Sequence, residues 1–253
     1  MRASRHIFVA ALLLSLGCAR QAVAQHAGGG DRLRISLNGG VQFSSMAFDT
    51  STTRVVYLEN AVIDTSYKVG RGIDVDGGAS VRLAGRFSVG VTVSSARSNK
   101  DAEVSAAIPH PFFFKSPRTI AGTAAGLQRS EFVTHLQGLY TLHPTGKIDV
   151  ALSAGPSFFR VQQEVVTDVS FTDTYPYDAP AFIAAASQRV SANNAIGFNA
   201  GADVGLKLSS HAGLGACVRF SKATVEMTLP NSTTAVSTAA GGALIAGGLR
   251  LWF

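Results

Sequence analysis

The chain has 253 residues, and charged residues make up only 15% of it, well below the quarter or so found in soluble domains. Mean hydropathy is positive at +0.22, yet beyond the first 25 residues no run of about 18 apolar residues occurs, which excludes a transmembrane helix there. The net charge of +6 is not gathered into a basic patch with interleaved aromatics, so it points to no nucleic-acid partner.

Arg2 and Arg5 precede an apolar stretch from Ile7 to Leu16, and Ala22-Val23-Ala24 has the small-x-small form of a cleavage site. Residues 1–24 therefore read as a secretory signal peptide, cut before Gln25. Leu14-Ser15-Leu16-Gly17-Cys18 also resembles a bacterial lipobox, in which Cys18 would be acylated, although Ser15 and Leu16 depart from its usual residues. With Cys18 removed in the leader, Cys217 is the only cysteine left and no intrachain disulfide can form. Residues 25–31 are Gly-rich and polar and read as a short periplasmic lead-in.

From Leu33 the pattern becomes alternation. Leu33, Ile35, Leu37, Val41 and Phe43 share one face of a strand, with Arg34, Ser36, Asn38 and Gln42 on the other. Residues 73–83 repeat the pattern, turn at Ala84-Gly85-Arg86, and continue through Phe87, Val89, Val91 and Val93. Phe132 to Leu142 and Ile148 to Phe158 form the next pair, around a turn at Pro144-Thr145-Gly146. Ile196 to Leu208 and Leu214 to Phe220 flank a turn at Ser209-Ser210-His211. The last strand runs from Ala243 to Phe253, where the chain stops on an aromatic residue. Between these pairs lie residues 45–66, 95–128, 162–193 and 230–238, which read as long loops, with strand extensions near 55–58 in the first.

Short turns recur about sixty residues apart, with long connections between them. That is the layout of a transmembrane barrel, with periplasmic turns at one end and extracellular loops at the other. The predicted fold is all-β: a closed, antiparallel, eight-stranded transmembrane barrel over residues 32–253, with both ends on the short-turn side. One face of the strands carries almost no charge. The other carries Arg34, Asp74, Asp76, Arg82, Glu131, His135, Asp149, Asp203, Lys207, Arg219 and Arg250. A cation facing the bilayer midplane costs roughly 2–4 kcal/mol, so this face is assigned to the interior, with charges paired there. Interior glycines, among them Gly78, Gly155, Gly215 and Gly248, are expected to make room for Arg and Lys. Phe43, Phe87, Tyr140, Phe158, Phe220, Trp252 and Phe253 are candidates for interfacial girdles. Arg34 and Arg250 are expected to meet carboxylates such as Asp149.

The leader, the eight alternating segments, the turn and loop asymmetry and the Leu249, Leu251, Phe253 ending resemble the small OmpA/OmpX-type outer-membrane β-barrel family. The resemblance implies residence in the cell outer membrane, contact with outer-membrane lipid and lipopolysaccharide, and recognition of the strand ending at Phe253 by the barrel-assembly machinery. It also implies a monomer without cofactor.

No nucleophile, metal or phosphate-loop motif is present. His135 and Glu131 lie four residues apart on one face; they read as a base oriented by a carboxylate or, more simply, as members of an interior polar network. Asp74 and Asp76 allow an ion site or charge pairing. Cys217 reads as a small filler, and His110 as a loop residue. Phe112, Phe113 and Phe114 read as a cap on the barrel mouth, with insertion into the outer leaflet or contact with a partner as alternatives. The expected function is a non-enzymatic scaffold presenting extracellular loops. A narrow pore for small or hydrophobic solutes is the alternative, followed by a lipid A-modifying enzyme. A soluble lipocalin-like barrel is the rival fold.

Overall fold

The computed structural model describes residues 31–230 and 235–253. The proposed signal peptide, Cys18 and most of the lead-in lie outside the described residues. The strands are β1 (Leu33–Phe43), β2 (Met46–Val56), β3 (Glu59–Val69), β4 (Gly72–Ala84), β5 (Phe87–Ile108), β6 (Arg118–Thr145), β7 (Ile148–Thr172), β8 (Ala181–Ser191), β9 (Ala195–Lys207), β10 (Ala212–Thr228) and β11 (Ala235–Trp252).

Eight of them close a ring in the order β1-β4-β5-β6-β7-β9-β10-β11, and β11 returns to β1. These are the eight strands that alternation predicts. Every pairing is antiparallel, as hairpin connections require. The closing seam runs from Arg34 opposite Trp252 to Phe43 opposite Ala243. Phe253 finishes it: its carbonyl accepts from the Arg32 and Leu33 amides at 2.6 and 2.9 Å, and its amide donates to Leu33. The short turns are Gly85–Arg86, Gly146–Lys147 and the stretch before Ala212, so the second falls one residue later than predicted.

The stretches predicted as long loops are largely strand. Residues 45–66 hold the β2–β3 hairpin, which turns at Tyr57 and Leu58, both at positive φ. This corrects the expected strand extension across 55–58. The upper part of β5 pairs with β3 and β6, and the upper part of β7 pairs with β8. The 22 residues of β5 span roughly 55 Å along an axis to which they tilt by about 40°. An apolar membrane band is only about 25 Å tall, so a crown of roughly 30 Å rises above it.

The apolar face changes sides at that boundary. On β5, Phe87, Val89, Val91 and Val93 point outwards, whereas Ala102, Val104, Ala106 and Ile108 point inwards. On β7 the change falls between Phe158, which is exposed, and Phe159, which is buried. On β10 it falls between Phe220 and Ala223. Below the change the wall faces lipid. Above it the wall faces water and the apolar side chains form a core inside the crown, including Ile63, Tyr67, Val104, Ile120, Val161 and Met227.

Interior glycines serve two purposes. At Gly215 a Cβ would press on the Arg250 guanidinium, which is the expected space-making role. At Gly248 and Gly155 it would collide with the backbone carbonyls of Leu37 and Leu136, so these positions allow neighbouring strands to coil together. Gly248→Val should therefore cost at least roughly 1–3 kcal/mol by overpacking and reduce the folded, heat-modifiable band on detergent gels. Gly39→Ala, where a Cβ meets nothing within 4 Å, should leave that band intact.

Candidate functional site

The ring encloses a polar column in three levels, and the crown closes it above. At the periplasmic level Arg250 is fully buried. Its guanidinium donates to Asp203 Oδ2 at 2.6 Å and to Asn38 Oδ1 at 2.5 Å. Arg34 also pairs with Asp203. The expected carboxylate was Asp149; it is buried too, but Asp203 takes both arginines because β9 presents it between them. Asn38 donates in turn to Asp76, which accepts from Arg219 at 2.8 Å. Trp252 points inwards and is buried, with Arg34 and Lys207 over its ring at 6.0 and 5.3 Å. It therefore belongs to this plug and not to a lipid-facing girdle.

The middle level is uncharged at its hydrogen-bonded centre. Thr92 donates to Gln137, Gln137 to Asn199 at 2.9 Å, and Asn199 to Ser157 Oγ at 2.8 Å. His135 Nδ1 lies 2.7 Å from Ser157 Oγ, and Ser94 lies 3.4 Å from the other ring nitrogen. Glu131 does not orient His135. It belongs to the upper level, where it accepts from Arg129 at 2.8 Å and from Gln42 and the Gly241 amide at 3.0 Å. The Ser157–His135 contact has the form of a nucleophile and its base. Both residues are almost completely buried, and Phe159 stands edge-on to the imidazole at the base of the apolar core. A substrate has no route to this pair in the conformation described.

Asp76 is paired, as the simpler reading expects. Asp74 is 1% exposed and neither of its oxygens accepts a hydrogen bond. Cys217 is buried against the same interior and is free, as its reading as a filler requires. The column holds a cavity of about 60 Å³ lined by Arg34, Asn38, Asp76, Gln137, Asp203 and Arg219. That is room for a few waters.

Above the column, Phe48 stacks on Tyr67 with ring centroids 4.6 Å apart, and the Tyr67 hydroxyl accepts from the Val166 amide at 2.7 Å. Burial pushes the Tyr67 hydroxyl above the usual phenol range. The top of the crown is tied by Arg118, which grips both oxygens of Asp173 at 2.7 and 2.8 Å and donates to the Pro109 carbonyl at 2.7 Å. His110 is buried, and its Nδ1 accepts from the amides of Phe112 and Phe113 at 3.1 and 3.2 Å. It shapes the turn that carries the three phenylalanines, more than an ordinary loop residue would.

Phe112, Phe113 and Phe114 do not cap the barrel. They are 65–73% exposed, and Tyr175 beside them is 86% exposed. The apolar core of the crown is built without these side chains. The sequence does carry a signal for that core, in Ala102-Val104-Ala106-Ile108, but its phase is opposite to that of the strand below.

No protein-family model matches this sequence, and no curated protein matches it. Solved structures do resemble the fold. The outer-membrane protease OmpT of Escherichia coli aligns over 91% of this chain and 99% of its own, with 9% identity and a TM-score of 0.50. Neisserial surface protein A aligns over 89% of this chain and 100% of its own, with 13% identity and a TM-score of 0.44. Ail, the attachment invasion locus protein of Yersinia pestis, aligns over 87% of this chain and 99% of its own, with 8% identity and a TM-score of 0.33. The likeness is one of fold. The OmpT fold agrees with the closed ring and the apolar outer wall, which together make this a β-barrel with a lipid-facing band.

The shared carboxylate yields a direct test. Asp203→Asn leaves Arg250 buried beside a neutral amide, and breaking a buried pair in this way costs roughly 3–5 kcal/mol. Urea unfolding in detergent should show that loss for Asp203→Asn and a smaller one for Arg34→Met, because the Arg34 side chain is 15% exposed against none for Arg250.

Proposed function

We propose that this integral barrel of the outer membrane is a closed scaffold that holds a rigid crown outside the cell for recognition. The observation that carries the reading is the double closure of its interior. A charged plug built on Arg250, Asp203 and Arg34 fills the periplasmic level, and an apolar core fills the crown. An ion entering from outside would have to cross that core, where an unpaired charge is heavily penalised. The exposed Phe112–Phe114 and Tyr175 tip is held by buried polar contacts and is therefore presented in one shape. The purified barrel in planar bilayers should give flat current traces; stable single-channel steps would establish the pore alternative instead.

The lipid A-modifying alternative needs a nucleophile open to the outer leaflet. Ser157 and His135 make such a contact but lie beneath the crown core, and the exposed Ser210–His211 contact lies at the short-turn end. Lipid A mass spectra should be unchanged when the protein is overproduced. The barrel works as a monomer in this reading, since the ring satisfies its own edges. Its terminal strand is the element offered to the barrel-assembly machinery. Removing Phe253 deletes the last backbone bonds of the seam and should lower the fraction recovered as folded barrel in the outer membrane.

A further inference from the structure

The outer wall carries a feature that neither the scaffold nor the plug uses. Where the apolar face changes sides, Ile73 on β4 pairs with Arg97 on β5, Arg97 with Ser130 on β6, and Ser130 with Gln162 on β7. Residues in register share a face, so this row lies on the outside of the barrel at the upper edge of the membrane band. An open depression of about 1040 Å³ follows it. Its lower side is apolar and belongs to the lipid-facing wall: Val41, Phe43, Ile73 and Val75 are 36–71% exposed. Its upper side carries Arg71, Arg97 and Arg189, with the Gln128 amide beside them.

Arg189 is held by Glu164 at 3.1 Å. Arg71 and Arg97 are exposed and have no carboxylate or other hydrogen-bond acceptor among the described residues. Two free guanidiniums directly above a lipid-facing wall are favourable where an anion meets them, and arginine grips phosphate with paired, charge-assisted hydrogen bonds. We propose that this depression binds a phosphorylated lipid of the outer leaflet, its headgroup phosphate between Arg71 and Arg97 and its acyl chains against Val41, Phe43, Ile73 and Val75. The apolar lower side is what favours a lipid over a free anion: a soluble phosphate would leave it uncovered. The depression is also far larger than such an ion needs. The site is one-sided. Across the ring, β10 offers Lys222 at the corresponding border.

The inference rests on the outer-membrane placement and not on the closed interior, so channel activity would overturn the scaffold reading and leave this site standing. The test uses the folded full chain in detergent, with native mass spectrometry reading bound lipid. Diphosphorylated lipid A should bind about tenfold more tightly than the same lipid with its phosphates removed. The R71Q/R97Q double variant should lose that preference, R71K/R97K should keep part of it, and K222Q should keep all of it. Folding of each variant is read from heat-modifiable gel migration. Equal binding of the two lipids to the unaltered protein would overturn the proposal without recourse to any variant. So would undiminished preference in R71Q/R97Q. Displacement of the lipid by inorganic phosphate would show a site for free anions in place of a lipid site.

Discussion

The seam between β1 and β11 is the constraint on which the rest depends. In hydrocarbon an unpaired backbone amide or carbonyl costs several kcal/mol, so a sheet can cross only when it has no edge. The seam pairs the first strand of the chain with the last, and everything between must fit a ring of fixed circumference. Closing that ring makes the inside small and, at membrane height, turns the outside to lipid. Charge must then go inwards, and a narrow interior brings most of its charges into contact, Asp74 excepted. Asp203 bridging Arg34 and Arg250, and Asp76 bridging Asn38 and Arg219, follow from that confinement.

The same strands obey opposite rules above and below the membrane surface. Below it, the apolar residues face out because lipid is there. Above it, water is outside and the apolar residues turn in to make a core of the ordinary soluble kind. The chain makes this change without ending a strand, by shifting the apolar positions by one residue. Phe158 and Phe159 stand on either side of such a shift. The result is a continuous wall with two interiors, polar at membrane height and apolar in the crown.

That shift explains what was legible in the sequence and what was not. The eight ring strands, the three short turns, the lipid-facing side and the inward charges all follow from one uninterrupted phase of alternation. The crown strands were hidden because a reading that holds one phase ends where the phase reverses, and beyond it small residues such as Ala102 and Ala106 give a weak signal. The β2–β3 turn was hidden for another reason. Tyr57 and Leu58 adopt positive φ there, where Gly or Asn would be expected. Candidate pairs on one strand face were also misleading: Glu131 and His135 share a face, but four residues of extended strand hold them about 13 Å apart, so one meets Arg129 and the other Ser157. Register across strands, which alternation alone does not encode, decided Asp203 over Asp149.

The pairing of the crown strands has a consequence for any molecule that meets the crown. Along β5 and β10 above the membrane, alternate side chains are turned into the crown core, and those left outside come from strands distant in sequence. A binder sees side chains of β3, β5, β6 and β8 side by side. Runs of consecutive exposed residues occur at 99–101 on β5, at the tip over 112–117 and at 186–189 on β8. Antibodies raised against linear peptides of those runs should recognise the folded barrel, whereas the rest of the crown offers epitopes assembled across strands.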